Sequence, residues 1–270
     1  MIKGNDNEPV VLTTNSKTYS LKQIEISNTL MILPHPGGTF GSKEEHPIQA
    51  ISTAIIEVKK MDPKLGNIAT ILKNQLLDIT DLKKTKLQYT TELLSSLVQA
   101  SQVELETWLL SHHYFLYNGK WTNLNDENLY LIMLEFVTLI QAEGWDYNAV
   151  PMKVAGEKLR SIYIMEAIQN CMNRYFEVDK EIGKLNMNQY SILCAKQLFL
   201  KNKTWKYDLF HKEWKSMLGD DFPLNYEGLK GLAIKTESNY KKNEISWFPV
   251  SELPADPAKR FTLLFDKKEP

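Results

Sequence analysis

"SQVELETWLLSHHYFLYNGKWTNL", residues 101–124, runs from a helix signal straight into a hairpin signal. Ser101 and Glu104 make a capping box, in which hydroxyl and carboxylate each satisfy a backbone N–H at a helix start. Val103, Trp108 and Leu109 fall on the apolar side of the helix so begun. Asn118-Gly119 then separates two aromatic-rich runs, and that dipeptide suits the positive φ angles of a two-residue hairpin turn. Upstream, "YTTELLSSLVQA" (89–100) reads as a helix with Thr90 or Thr91 as its N-cap. Before it, "DPKLGNIATILKNQLLDI" (62–79) places Leu65, Ile68, Ile71, Leu72, Leu76 and Ile79 on one helical face. Three helices followed by a hairpin predict a winged helix.

The grammar differs on either side. "PVVLTTNSKTYSLKQIEISNTLMIL" (9–33) alternates apolar and polar side chains and is rich in β-branched residues, with "NSK" and "SN" as its turns. "AISTAIIEV" (50–58) is a further strand, and "PHPGGTFGSKEEHP" (34–47) between them is a Pro/Gly loop. So few strands cannot close a barrel, so their edges need covering by helices or by strands of another chain. Downstream, "DENLYLIMLEFVTLIQAEGW" (126–145) is a long amphipathic helix with Leu129, Ile132, Met133, Phe136 and Ile140 in register, and 159–178 is another helix. Helices over 186–202, 207–218 (Asp208 as N-cap) and 224–230 precede two short apolar runs, "LAIKT" and "ISWFPV", around the polar loop "ESNYKKN". That order repeats the winged-helix pattern more loosely. The expected fold class is α+β, with a β module at 1–60, a first winged helix and following helix at 61–150, and a second winged helix with a C-terminal helix at 151–270.

Bulk properties narrow the function. With 270 residues, 43% of them hydrophobic, the chain can bury a real core, and a net charge of −1 excludes a histone-like polycation. Cys171 and Cys194 have no metal or redox spacing and suggest a reducing compartment. The N-terminus lacks a signal-peptide apolar region, and no apolar run approaches the roughly 18 residues of a membrane span. The expectation is a soluble protein of cytosol or nucleus. "GGTFGSK" (37–43) lacks the Gly-Lys-Ser/Thr order of a phosphate loop. The adjacent His112 and His113 cannot share a metal as an i, i+4 pair does, and His35 and His46 lack partner spacing. No cofactor is expected, and nothing supports an enzyme.

Electrostatics separates the two winged units. In the first, the helix beside the wing, "SQVELETWLLSHH", carries Glu104 and Glu106 and no Lys or Arg, so the unit suits protein, with Trp108, Tyr114, Tyr117 and Trp121 as candidate anchors or as core. The second carries Lys201, Lys203, Lys206, Lys212 and Lys215 around its middle helix, Lys230 and Lys235 before the wing, and Lys241 and Lys242 at its tip. These are candidate phosphate contacts, with Trp205 or Tyr240 for stacking; a solvated lysine face is the alternative. In the β module Val10, Leu12, Tyr19, Leu21, Ile24, Ile26, Leu30 and Ile32 are candidate interface residues.

Three collinear stretches resemble one family. They are "VVLTTNSKTYSLKQIEISNTLMILP" (10–34), "YTTELLSSLVQASQVELETWL" (89–109) and "LKGLAIK" with "ISWFPVSELPADPAKRFTLLF" (229–235 and 245–265). Together they are similar to the family named "defective in sister chromatid cohesion". The resemblance spans about residues 8–265, with 153–206 matched only by position. It implies a nuclear, non-enzymatic subunit of an alternative replication factor C clamp loader. It implies N-terminal strands that share a composite β-barrel with the small and large subunits, and a first winged helix near the catalytic part of DNA polymerase epsilon. Later winged helices would bind DNA without reading sequence, and the clamp PCNA would be met indirectly. The family continues into a third winged helix after "RFTLLF", whereas this sequence stops at Pro270, so that module is expected to be missing here, either because the chain is cut short or because it is a short member. The rival expectation is a winged-helix transcription regulator. It would need a base-reading arginine, and neither unit offers one.

Overall fold

A computed structural model describes residues 1–4, 8–33, 47–238, 241–250, 253–254 and 256–266; the side chains of 237, 238, 241, 242 and 263–266 lie outside that description. The Pro/Gly loop with "GGTFGSK", His35 and His46, and Tyr240 fall outside the described residues. The fold is mixed α and β, with helices and several small sheets. By contacts the chain divides into two compact units, 1–75 with 88–121, and 76–87 with 122–270.

The first unit begins with β1 (Ile2–Lys3), β2 (Val11–Thr13), β3 (Thr18–Ile32) and β4 (Ala50–Lys60), an antiparallel sheet in the order β1-β2-β3-β4. β1 pairs only with β2, and β2 only with the root of β3, where Leu12 faces Tyr19, so most of the sheet is the two-stranded ribbon β3–β4. "NSK" makes the expected turn, since the N–H of Thr14 donates to the carbonyl of Lys17 at 2.9 Å. "SN" does not. Ser27 and Asn28 stay within β3, at a bulge where the register jumps from Glu25 opposite Ala54 to Leu30 opposite Ser52.

Next come α1 (Ile68–Ile71), α2 (Thr91–Leu97), α3 (Gln102–Ser111), β5 (Phe115–Tyr117) and β6 (Lys120–Thr122). Thr90 caps α2, accepting from the N–H of Leu93, and the Ser101–Glu104 capping box of α3 is complete. Leu65, Ile68, Leu72, Leu94, Val98, Leu105, Leu109 and Trp121 share one buried cluster. The helix expected over 62–79 is a single turn. Leu65, Ile68 and Leu72 still reach the core, but Leu76 is exposed and Ile79 half-buried, because the backbone beyond Leu72 finds tertiary partners instead. The carboxamide of Gln75 accepts from the N–H of Gln88 at 2.8 Å, and the Asp78 carboxylate accepts from the N–H of Thr80 at 2.9 Å. Val103, expected on the buried side of α3, is exposed; Leu105 and Leu109 do the burying.

The ribbon's root is bound to these helices by polar contacts. The Lys3 ammonium donates to the carbonyls of Ser95 (2.6 Å) in the last turn of α2, of its C-cap Val98 (3.3 Å) and of Ala100 (2.7 Å) just beyond. Burial holds the Lys3 pKa below the usual lysine value. Thr18 is fully buried, donates to Glu104 Oε2 at 2.6 Å and accepts the Ser101 N–H at 3.0 Å. The same carboxylate oxygen accepts from the Ser101 hydroxyl at 2.7 Å. Burial pushes the Glu104 carboxyl up, but the hydrogen bonds from Thr18 and Ser101 outweigh it and leave the pKa below 4.5.

In the second unit, α4 (Asp126–Glu143) starts at Asn125, whose side chain accepts the N–H of Asn128, and stops at Gly144 in the left-handed region. Leu129, Ile132, Met133, Phe136 and Ile140 are all buried, as their spacing predicts. β7 (Val150–Pro151), α5 (Met152–Leu159) and α6 (Met165–Tyr175) follow, then β8 (Phe176–Asp179) and β9 (Ile182–Leu185), in a sheet of order β7-β9-β8. The helix expected over 159–178 therefore ends at Tyr175. Phe176 and Val178 favour a strand, and Lys180, at φ +57°, turns the chain back. The order helix, strand, helix, helix, hairpin then recurs. It comprises α7 (Met187–Lys201), β10 (Thr204–Lys206), α8 (Tyr207–Leu218), a 3-10 turn (Glu227–Leu229), β11 (Ala233–Ser238) and β12 (Lys241–Trp247), the strands ordered β10-β12-β11. Asp208 lies in the first turn of α8 rather than at its N-cap, which is Lys206, and the helix expected at 224–230 shrinks to the 3-10 turn. Trp214 locks this repeat, its indole N–H donating to the Ser191 carbonyl at 2.8 Å. α9 (Pro257–Asp266) closes the chain's described part.

Two substitutions test these contacts. Glu104→Gln should lower stability at pH 7 by about 1 kcal/mol, a hydrogen-bond value reduced for partial exposure of the carboxylate. A carboxyl depressed by folding stabilises above its unfolded value and loses that stabilisation as pH falls through the folded value. The gap between parent and variant should therefore close as pH drops below about 4.5 in parallel urea titrations. At Gly183, buried on β9, a Cβ would fall inside the van der Waals envelope of the Met152 thioether. Gly183→Ala should cost about 1–3 kcal/mol by thermal melting.

Candidate functional site

Beyond its root the ribbon is bare. Met31, Ile32, Ile51, Ile56 and Val58 are exposed, with Ile51 at 61% and Ile56 at 66%. Residues directly opposite in a ladder share a face, so the register sorts these side chains. One face carries Ile24 opposite Ile55 and Met31 opposite Ile51. The other carries Leu21 opposite Val58, Gln23 opposite Ile56, and Leu30 opposite Ser52. Both faces are apolar, and a two-stranded ribbon cannot bury either one by itself.

The expected interface residues fall into place unevenly. Val10, Leu30 and Ile32 are exposed, and Leu12, Tyr19, Leu21, Ile24 and Ile26 are half-buried. Sequence reasoning missed the β4 side chains Ile51, Ile55, Ile56 and Val58. The signal was there: "AISTAII" (50–56) places isoleucines at both odd and even positions, so the strand is apolar on both faces.

Around α3, the aromatic residues divide. Trp121 is 3% exposed and donates its indole N–H to Thr91 Oγ1 at 3.0 Å, so it is core and not a surface anchor. Trp108 is half-buried under the His112 ring, stacked at 3.8 Å between centroids, with Tyr114 at 6.2 Å. His112 Nδ1 also lies 2.8 Å from the Trp108 carbonyl. Tyr117 is half-buried on β5. Exposed Val103, Leu110 and Leu116 add apolar surface that the sequence reading did not count.

In the second unit the lysines do different jobs. Lys203 lies over the Trp247 ring at 5.6 Å, and Lys235 over Tyr207 at 4.1 Å. Lys215 donates to the carbonyls of Gly219 (3.0 Å) and Asp220 (3.3 Å) just past the end of α8, and Lys230 pairs with Glu227. Lys206 stands opposite Glu244 in the ladder. Lys201 and Lys212 are exposed with no acidic partner among the described residues. The side chains of Lys241 and Lys242 lie outside the described residues. Trp205 is half-buried, its indole N–H donating to the Leu198 carbonyl at 3.1 Å, which makes it a packing residue.

The chemistry of the remaining candidates is quiet. Cys171 and Cys194 are buried, and burial pushes both thiols up to about 12, so neither is a thiolate near neutral pH. Among the described residues no group of His, Cys, Asp and Glu could hold a metal ion, and no helix is long and apolar enough to cross a membrane.

Comparison with known proteins agrees along the whole chain. A family model described as "Sister chromatid cohesion protein Dcc1" matches residues 1–270. The frog Xenopus laevis has a similar "Sister chromatid cohesion protein DCC1", 27% identical over 291 residues, covering 100% of this chain and 73% of the relative. The human protein of that name is 26% identical over 287 residues, covering 100% of this chain and 72% of its own length. In Dictyostelium discoideum a "Probable sister chromatid cohesion protein DCC1" is 23% identical over 295 residues, covering 98% and 76%. With the whole of its length matched, the chain belongs to the Dcc1 family of sister chromatid cohesion proteins.

Proposed function

We propose that this chain serves sister chromatid cohesion as a non-catalytic subunit of an alternative replication factor C clamp loader in the nucleus. The single observation that carries this reading is the β3–β4 ribbon, apolar on both faces and without strand partners beyond its root among the described residues. Such a ribbon is an incomplete sheet, and the small and large subunits of the clamp loader are the chains proposed to complete it as a composite barrel.

The rest of the molecule is proposed to be winged helices. Residues 68–122, 126–185 and 187–247 each carry helices followed by a hairpin, and in the latter two a short strand pairs with the hairpin. The middle one lies where the sequence reading saw only linking helices. The first, with Trp108, Tyr114 and Tyr117 and an acidic α3, is proposed to face the catalytic region of DNA polymerase epsilon. The last, with Lys201, Lys206 and Lys212, is proposed to meet the DNA backbone, so that PCNA is met only through the assembled loader. A transcription regulator is a weaker reading. α3 has Glu104 and Glu106 and no basic residue, α6 exposes Glu166, Gln169 and Asn173, and the third counterpart is a single 3-10 turn. None of these reads guanine as an arginine would.

Co-purification with the small and large clamp-loader subunits tests the scaffold. Ile51→Lys should abolish retention, while the melting of the lone chain shifts by no more than about 0.5 kcal/mol because the site is exposed. Undiminished retention would overturn the reading. For DNA, binding to scrambled duplexes should weaken steeply with salt, and Lys212→Ala should lower the log–log salt slope by about 1. A strong preference for one sequence would favour the regulator instead.

A further inference from the structure

We propose that a groove in the second unit, between residues 79–82 and the turn joining α5 to α6, binds a short acidic and apolar segment of a partner protein, with Arg160 as the seat of its carboxylate. The proposal does not depend on the clamp-loader reading.

The groove has a volume of about 730 Å³. Ile79 and Leu82 line one wall, and Ile162, Ile164 and Met165 line the other. Hydrogen bonds hold both walls in place. In the first, Asn128 on α4 donates to the Leu77 carbonyl at 2.7 Å. The Asp78 carboxylate accepts the N–H groups of Thr80 at 2.9 Å and Asp81 at 3.2 Å, and the Asp78 N–H donates to the Thr85 hydroxyl at 3.1 Å. In the second, the N–H groups of Ile162 and Tyr163 both donate to the Leu159 carbonyl, at 2.9 and 3.0 Å. The walls are thus set before a ligand arrives, and little ordering cost opposes binding.

The lining selects the kind of ligand. Ile162 is 57% exposed, so the groove leaves one side of its occupant in water, unlike a pocket that encloses a small molecule. A nucleic acid gains from phosphate contacts but leaves five apolar side chains wet. A peptide segment covers them with apolar side chains of its own. Charge fixes the rest of its chemistry. Arg160 lines the groove, is exposed, and makes no ion pair among the described residues. Lys83 and Lys86, on the same segment as Ile79 and Leu82, are exposed and equally without an acidic partner there, whereas Lys84 pairs with Asp81. Glu166 is the single carboxylate lining the groove, and it does not reach Arg160. Three cations against one carboxylate favour an acidic ligand. A guanidinium takes a carboxylate through two parallel N–H···O bonds, which places the ligand's Asp or Glu at Arg160 and its apolar residues along the walls.

The test pans random peptides displayed on phage against the full chain, then titrates a selected peptide carrying a fluorescent label. The selected peptides should share Asp or Glu beside apolar side chains. Arg160→Glu and Ile162→Asp should each weaken the labelled peptide about tenfold or more. Both positions are exposed, so either variant should melt with the parent; Lys83→Glu, on the opposite wall, gives the same readout should one of them misfold. Replacing the peptide's carboxylates by lysines should weaken binding to the parent and restore part of it to Arg160→Glu. Selected peptides without acidic residues, or affinity that survives both Arg160→Glu and Ile162→Asp, overturn the proposal. A labelled DNA duplex that loses affinity in Ile162→Asp as much as in Arg160→Glu would give the groove to nucleic acid. A dimer of the chain that Ile162→Asp disperses would seat a second copy there. Either of these results overturns the choice of a peptide ligand.

Discussion

The carboxylate of Glu104 is the tie on which the arrangement of the N-terminal unit depends. One oxygen serves three donors: the Thr18 hydroxyl, the Ser101 hydroxyl and the Ser101 N–H. A capping box ordinarily closes a helix on itself. Here the same group also accepts from a fully buried threonine at the root of β3, so starting α3 and seating the ribbon are one event. Lys3 does the matching work at the end of α2, donating to carbonyls in and just beyond its last turn. These contacts are directional, and they set where the ribbon leaves the helices. Its outer part is then free to differ from a self-contained sheet.

That division between a fixed root and a bare extension gives the functional reading its physical basis. A ribbon with isoleucines on both faces is unstable as a lone structure in water, because each face needs its own covering layer. Covering by another chain removes that surface from water and pairs the open edge at the same time. The helical repeats of the second unit are different. The last has a closed aromatic core, with Phe199, Phe210 and Trp214 packed at centroid distances of 4.8 and 5.5 Å.

The lysines show why composition alone misleads about such surfaces. Nine lysines clustered in sequence suggested one phosphate-binding face. In three dimensions Lys215 closes a helix, Lys230 pairs with Glu227, and Lys203 and Lys235 lie against aromatic rings. An ammonium on a long flexible stem takes whatever acceptor or ring lies within reach, and proximity in sequence does not choose it. The same holds for the aromatics near α3, where Trp121 turned inward and Trp108 stayed at the surface.

Local chemistry was legible in the sequence wherever it was self-contained. The Thr90 cap, the Ser101–Glu104 box, the Asn118-Gly119 turn and the apolar stripe of α4 need only neighbours a few residues away, and each is present. What the sequence could not decide depended on distant partners. Residues 72–79 have a helical pattern but give up helix for contacts with Gln88 and with their own Asp78 turn. Phe176–Val178, expected as the end of a helix, instead begin a hairpin that runs to Leu185, and β7 offers it a third strand. Which β3 side chain each residue of β4 meets, and which of its amides point outward, follow from a register that only pairing with β3 establishes. Periodicity records what a segment can bury; the tertiary fold decides what it meets.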